Sequence, residues 1–313
     1  MGRAFGRWLL LLVGVLSVAL GVSGVTVSAT NRVVLAQAVE SRCEGRATPL
    51  AAGSTPATGV TAEASPSEPL PIPAEGGTLT VFAAASLTDA FNRIGEDLEA
   101  AYPGLTVEYN FAGSQALVTQ LREGATADVF ASAGQEPMDA AVAAGVVEGE
   151  LVHFTQNRLV IVVPHDNPGG VRTAADLGAP GLRLVLAASD VPVGRYAWDA
   201  LCAMGSDPVT YGADFVGRVV ANVASEENNV KAVLAKVRLG EADAGIVYET
   251  DLTPDVAGAV EVVEIPPAVN VVATYPIAPV RGGDPSLAQV FIAYLLAPQG
   301  QATLLAFGFE PIP

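Results

Sequence analysis

The stretch that decides the fold is residues 78–114, which read TLTVFAAASLTDAFNRIGEDLEAAYPGLTVEYNFAGS. Its first seven residues are apolar or β-branched without a break, which is typical of a strand buried on both faces. From residue 86 to 101 the apolar side chains recur at helical spacing, and residues 105–111 return to a strand pattern. This alternation predicts an α/β fold, in which a parallel sheet carries helices on its faces.

The same alternation continues to the end of the chain. Further strands are predicted at residues 127–132, 159–163, 182–187, 244–248, 260–265 and 271–275. Further helices are predicted at residues 114–123, 192–205, 228–240 and 286–296, and Pro298 is expected to begin a turn. The 237 residues after residue 76 are enough for one large α/β domain or two smaller ones.

The N-terminal segment has the pattern of an export signal. A short basic start is followed by a stretch without charge between Arg7 and Arg32, and small residues at 27–29 or 36–38 would suit cleavage. About 20 apolar residues also suffice to span a bilayer, so a retained anchor is the alternative. We therefore predict a signal peptide or membrane anchor at residues 1–38 and a protein that is exported, periplasmic or on the extracellular face of the cytoplasmic membrane.

Residues 39–76 are predicted to be a disordered linker rich in Pro, Ala and Thr. Six prolines lie between residues 47 and 76, and such a composition cannot bury enough apolar surface to fold. The chain has two cysteines, Cys43 in this linker and Cys202 in an apolar helical stretch. An oxidising compartment would allow them to pair, but we expect Cys202 to be a small buried apolar residue instead.

Charge excludes several classes of partner. Residues 1–76 carry equal numbers of acidic and basic side chains, so the net charge of −17 lies wholly in residues 77–313. A domain this acidic does not bind nucleic acid, and it can meet a membrane only through an N-terminal anchor. Signature motifs of hydrolases, nucleotide-binding phosphate loops and zinc proteases are absent, and two histidines cannot form a three-histidine metal site.

One arrangement recurs four times: a strand, a short turn and the start of a helix. It occurs at Ser86, Ser114, Val193 and Val230. Each helix start offers backbone N–H groups at the carboxyl edge of a sheet, where ligands bind in open α/β folds and where anions are favoured. Taken singly, each is an ordinary helix start, with Ser86 and Ser114 capping their own helices. Four converging starts would form an anion site, and spacing alone leaves this open.

The order of these segments resembles the periplasmic molybdate-binding proteins of ABC transporters. The resemblance covers residues 77–313 and is carried by residues 81–90, 111–114, 127–135, 157–164, 191–196, 245–248, 275–277, 298–300 and 307–309. It implies a two-lobed periplasmic-binding-protein fold, each lobe a mostly parallel sheet flanked by helices, joined by two crossover strands near Asn157 and Thr274. The implied lobes are residues 77–156 plus 274–313 and residues 157–273.

The resemblance also implies the ligand and its site. Molybdate or tungstate would be held as an oxyanion, without direct metal coordination, by Ser86, Ser114, Val193, Val230 and Tyr248. The serines would use hydroxyl and backbone N–H groups, the valines backbone N–H groups, and the tyrosine its hydroxyl. A monomeric receptor without a cofactor or catalytic activity would deliver the anion to the ABC permease.

Three departures from the family pattern bear on this site. Val193 stands where alanine is usual, Gly113 loosens the second serine turn, and Glu226 with Glu227 lies near Val230, where we expect both carboxylates to point to solvent. Two alternatives stay open. One is a receptor for another tetrahedral oxyanion such as sulfate; the other is an enzyme on the same fold, which would need an Asp, Glu, Cys or His in the cleft.

Overall fold

The computed structural model describes residues 42–43 and 76–313. Within them, the strands are β1 Gly77–Ala84, β2 Leu105–Ala112, β3 Val129–Ala131, β4 Val152–Pro164, β5 Leu184–Ala187, β6 Val223–Glu227, β7 Ala244–Tyr248, β8 Val260–Glu264 and β9 Val272–Pro279. The α-helices are α1 Thr88–Ala101, α2 Ser114–Arg122, α3 Gln135–Ala143, α4 Pro192–Gly205, α5 Phe215–Asn222, α6 Val230–Arg238, α7 Pro285–Leu296 and α8 Pro298–Ala306. Short 3-10 turns lie at Ala85–Leu87, Ala174–Gly178 and Glu249–Asp251.

The first half of the sheet has the strand order β2-β1-β3-β9-β4. Strands β1, β2 and β3 are parallel, whereas β9 runs antiparallel to both β3 and β4. The apolar face of α1 packs against this half through Phe91, Ile94 and Leu98, which are fully buried. The helical spacing of apolar residues over 86–101 therefore reflects a helix with one face buried against the sheet.

The second half is built on β7, β5 and β6, which are parallel to one another. It joins the first half through β4, whose early residues pair with β9 and whose later residues pair with β7 and β8. The change occurs between Arg158, which is opposite Val272, and Leu159, which is opposite Tyr248. One long strand thus belongs to both halves.

Several elements differ from the sequence-based prediction, and helices α3 and α5 lie in stretches for which it gave no helix. Strand β4 begins at Val152, seven residues before the predicted start, because Thr155 and Asn157 are buried polar residues that interrupt the apolar pattern. Residues 298–306 form helix α8 and not a turn, with Pro298 in its first turn, where the missing N–H costs nothing.

The predicted signal or anchor and almost all of the predicted linker lie outside the described residues. Among the described residues, we find no helix with the length and apolarity needed to cross a bilayer.

The expectation for the two cysteines is wrong, because Cys43 and Cys202 form a disulfide with a Cα–Cα distance of 5.7 Å. Arg42 reinforces this attachment. Its guanidinium lies 4.8 Å from the ring centroid of Trp198, and its Nη1 is 2.7 Å from Glu226 Oε1. The sequence separation of 159 residues gave no local signal for this pairing.

Candidate ligand-binding cleft

A small cleft lies between the two halves of the sheet, at the carboxyl ends of their parallel strands. It encloses about 210 Å³, counting the space at its mouth. The cleft is small, so it suits a ligand of a few atoms. Its lining is Ala84, Ala85, Ser86, Ala112, Gly113, Ser114, Ala133, Val191, Pro192, Val193, Asn229, Val230 and Tyr248. All five residues proposed from the sequence are therefore brought together.

Ser86 and Ser114 form one side of the cleft, which we call the serine wall. Both are almost fully buried, and neither hydroxyl caps its own helix. Ser86 Oγ lies 3.0 Å from the hydroxyl of Tyr275, and Ser114 Oγ accepts a hydrogen bond from the Ala133 N–H at 3.1 Å. Both serines thus bond to groups distant in sequence, so their interpretation as ordinary helix caps is wrong.

Val193 and Val230 form the opposite side, which we call the valine wall. Val193 is the second residue of α4 and Val230 is the first residue of α6. N–H groups in the first turn of a helix have no partner within that helix, and the helix dipole places positive charge there. Pro192 and Asn229, which precede them in the chain, also line the cleft. The valine wall therefore presents backbone N–H groups, with both side chains buried.

Tyr248 closes the cleft at the end of β7. Its side chain is buried, and its hydroxyl donates a long hydrogen bond of 3.4 Å to Ala133 O in the first half. Burial raises the pKa of Tyr248 well above its ordinary value, so the phenol keeps its hydrogen at physiological pH. Tyr248 is consequently a neutral donor.

The carboxylates of Glu226 and Glu227 do not line the cleft, and each is paired with a cation. Glu226 meets Arg42, and Glu227 lies 2.6 Å from Lys236 Nζ. Although burial opposes its ionisation, Lys236 and the Ser225 hydroxyl hold the pKa of Glu227 below its ordinary value. The expectation that both carboxylates point to solvent is therefore corrected, because each forms an ion pair with a basic side chain.

The elements that carry the serine wall and the valine wall touch beside the cleft. The Lys231 ammonium of α6 lies 2.7 Å from Asp89 Oδ2 of α1 and 3.3 Å from Asp251 Oδ1. A Cβ on Gly113 would lie 2.4 Å from Asn228 O, so the absence of a side chain permits this approach. Gly113 therefore allows a close contact across the cleft, where a loosened turn was expected.

Asn157 and Tyr275 are the residues that the site prediction left out. Tyr275 is fully buried, with its ring against Phe154, Tyr248 and Phe309, and its hydroxyl contacts both Ser86 and Asn157. Asn157 is buried in β4. The sequence offered one signal for Asn157, which is a polar residue close to the apolar run of residues 159–163. A buried Asn needs hydrogen-bond partners, so such a position points to a polar contact inside the fold.

Neutral residues make up the whole lining of the cleft among the described residues, and they include three hydroxyl groups and the first-turn backbone N–H groups of α4 and α6. No group of three or more His, Cys, Asp or Glu in the described residues could hold a metal ion. Donors at fixed positions can replace the hydration of a small anion, and no lining side chain is an acid, a base or a cysteine. The arrangement is thus suited to anion binding.

Comparison with known proteins agrees with this geometry. The sequence profile of a family described as bacterial extracellular solute-binding protein matches residues 79–310. A molybdate-binding protein of Mycobacterium tuberculosis is 42% identical over 239 residues, which are 76% of this chain and 86% of that protein. A sulfate-binding protein of Synechococcus elongatus is 26% identical over 227 residues, 66% of this chain and 65% of that protein.

A solved structure supports the fold. The periplasmic molybdate-binding protein of Azotobacter vinelandii superposes with a TM-score of 0.65 at 17% identity, covering 75% of this chain and 99% of that chain. With the two sheet halves and their shared strand, this likeness confirms the predicted periplasmic-binding-protein fold.

Proposed function

This chain belongs to the bacterial extracellular solute-binding proteins, and from that premise we propose that it is a receptor that captures molybdate or tungstate. The 42% identity to a molybdate-binding protein supports this ligand class over sulfate, where the identity is 26%. The observation that carries the proposal is the convergence of Ser86, Ser114, Val193, Val230 and Tyr248 on one small cleft.

In this proposal the two halves of the sheet act as lobes. Lobe one would be residues 77–156 plus 274–313, and lobe two residues 157–273. Strand β4 pairs with both halves, which supports a lobe boundary near Asn157. Gln156 of β4 lies opposite Thr274 of β9, which supports the second lobe boundary at Thr274. The anion enters between the lobes, and their closure brings the serine wall and the valine wall onto it.

Each donor has a defined role in this capture. Ser86 and Ser114 donate from their hydroxyl and backbone N–H groups, and Val193 and Val230 donate from backbone N–H groups. Tyr248 turns its phenol hydrogen from Ala133 O to the anion. Hydrogen bonds from neutral donors to a fully ionised anion are strong and need no counter-charge. A site made of donors binds a dianion without protons better than hydrogenphosphate, whose remaining proton needs an acceptor.

The acidity of the domain does not conflict with an anionic ligand. At physiological salt the Debye length is about 8 Å, so carboxylates on the outer surface act weakly on a closed cleft. The two acidic residues of β6, Glu226 and Glu227, are already paired with Arg42 and Lys236. Local donors therefore decide the affinity, and the net charge affects mainly solubility and the rate of capture.

Delivery to an ABC-transporter permease completes the proposed role. Membership of an extracellular family supports export, and the apolar segment before Arg32 would serve as its signal or as an anchor. The proposed receptor acts as a monomer, needs no cofactor and catalyses no reaction. The neutral cleft lining among the described residues supports binding over catalysis.

One titration tests the proposal. The full chain is titrated calorimetrically with molybdate, tungstate, sulfate and phosphate in the same buffer. We expect tight binding of molybdate or tungstate, weaker binding of sulfate and the weakest binding of phosphate. Sulfate or phosphate binding as tight as molybdate binding would refute the proposed ligand, and sulfate alone in first place would favour the sulfate alternative.

A further inference from the structure

We propose that Tyr275 and Asn157 are positioning residues that fix the direction of the Ser86 hydroxyl, so that Ser86 turns its hydrogen toward the ligand. This inference rests on the proposed function, and it adds a structural origin for the selection of molybdate over hydrogenphosphate. Neither residue lines the cleft, so both would act through Ser86.

The orientation of the Asn157 amide is set by a neighbouring backbone group. The N–H of Arg158 donates to Asn157 Oδ1 at 2.9 Å, and a backbone N–H can only donate. The amide nitrogen must therefore face the other way, where it donates to Thr250 Oγ1 at 2.7 Å and to the Tyr275 hydroxyl at 3.2 Å. The Asn157 side chain that makes these hydrogen bonds is fully buried.

The Tyr275 hydroxyl consequently accepts from Asn157 and still has its own hydrogen to donate. We assign that hydrogen to Ser86 Oγ, which lies 3.0 Å away. Burial raises the pKa of Tyr275 well above its ordinary value, so the hydrogen stays on the phenol. The order of donation runs from Asn157 to Tyr275 and then to Ser86.

Ser86 then has the lone pair that faces Tyr275 engaged and its own hydrogen free for the cleft. The same holds for Ser114, whose oxygen accepts from the Ala133 N–H. The two serines differ in one respect that makes the idea testable. The partner of Ser114 belongs to the backbone, whereas the partner of Ser86 is a side-chain hydroxyl that a substitution removes.

A protonated oxyanion would need Ser86 to accept a hydrogen bond. If Ser86 turned its own hydrogen toward Tyr275 in order to accept from the ligand, the buried phenol hydrogen of Tyr275 would lose its acceptor, which is costly. Tyr275 would therefore disfavour hydrogenphosphate specifically. Without the Tyr275 hydroxyl, the Ser86 hydroxyl can rotate and accept.

The test is Tyr275→Phe, which keeps the ring packing against Phe154, Tyr248 and Phe309. Tyr109→Phe is the matched control, because that hydroxyl is also held by a hydrogen bond, of 2.6 Å to Phe91 O, but lies outside the cleft lining. Molybdate affinity is measured by calorimetry on the full chain, and phosphate affinity by its competition with molybdate near neutral pH.

We expect Tyr275→Phe to weaken molybdate binding and to strengthen competition by phosphate, so that the molybdate-to-phosphate ratio falls about tenfold. Tyr109→Phe should leave the ratio unchanged. Asn157→Leu should shift the ratio in the same direction as Tyr275→Phe, because Tyr275 could then accept from Ser86.

Two results would overturn the inference: an equal loss of both affinities in Tyr275→Phe, as a purely structural role predicts, or no gain in competition by phosphate. Failure of the proposed function is distinguishable, because the wild-type protein would then not bind molybdate at all.

Discussion

The serine wall and the valine wall hold the same proposed ligand with different chemistry. Ser86 and Ser114 would donate through side chains that other groups hold from behind, whereas Val193 and Val230 would donate through backbone groups that their helices hold. A hydroxyl rotates and needs a partner to fix its direction, but the direction of a backbone N–H follows from the fold. The comparison teaches that side-chain substitutions should disable the serine wall. The valine wall should be disabled only by changes that remove a backbone N–H group.

The largest effect should come from removing both hydroxyls of the serine wall. Ser86→Ala combined with Ser114→Ala should cost about 3–6 kcal/mol of molybdate binding free energy, since hydrogen bonds to charged groups contribute about 1.5–3 kcal/mol each. Calorimetric titration measures the loss. Ser206→Ala is the control, because its hydroxyl bonds to Cys202 O at the end of α4. Wild-type affinity in the double variant would remove the serines from the site.

The valine wall can be broken by removing one backbone donor. Val230→Pro deletes the N–H at the first position of α6, where proline is well tolerated, and the extended Asn229 is compatible with a following proline. We expect a loss of about 1.5–3 kcal/mol in binding free energy. Val230→Ala keeps the N–H and serves as the control. Equal affinities of the two variants in the same titration would contradict a backbone role.

The contact between the walls should have a smaller effect. Burial acts to lower the pKa of Lys231, but Asp251 and Asp89 outweigh it and raise the pKa, so the ammonium that bridges the walls is charged. Asp89→Asn should weaken molybdate binding by about 0.2–1 kcal/mol, as expected for a partly exposed ion pair.

The Asp89→Asn effect should shrink at high salt, which titrations at two ionic strengths would reveal. Asp97→Asn breaks an ion pair with Arg93 inside α1 and does not bridge the walls, so it provides the control. An equal loss in both variants would mean that bridging the walls is not what matters.

The smallest effect on affinity should follow a side-chain change in the valine wall. Val193→Ala should leave molybdate affinity unchanged while lowering the free energy of unfolding by about 1–3 kcal/mol, because a buried side chain is shortened. Titration and thermal unfolding of the same sample give both quantities. A tenfold change in affinity would show that the side chain itself contacts the ligand.

The sequence predicted the parts of this molecule that follow from local pattern. The alternation of buried strands and amphipathic helices indicated the parallel strands of both halves, and the recurring strand, turn and helix start identified four positions that lie in the cleft. Tyr248 came from the family resemblance. Carboxyl ends of parallel strands meet at one edge, so local signals marked these four helix starts, but only the family resemblance implied that they form one site.

Other features depend on contacts that local pattern does not encode. The direction of the Ser86 hydrogen bond depends on Asn157 and Tyr275, which are 118 residues apart. The pairing of Glu226 with Arg42 also joins distant parts of the chain. These contacts form only when the fold is complete, so no spacing rule predicts them.

The disulfide between Cys43 and Cys202 has a mechanical consequence. Cys202 lies in α4, whose first turn provides Val193, so the N-terminal part of the chain is covalently fixed to the half that carries the valine wall. A pull on the chain before Arg42 would pass through this bond into that half. If the N-terminal end is held, the half with the serine wall is the one left free to turn.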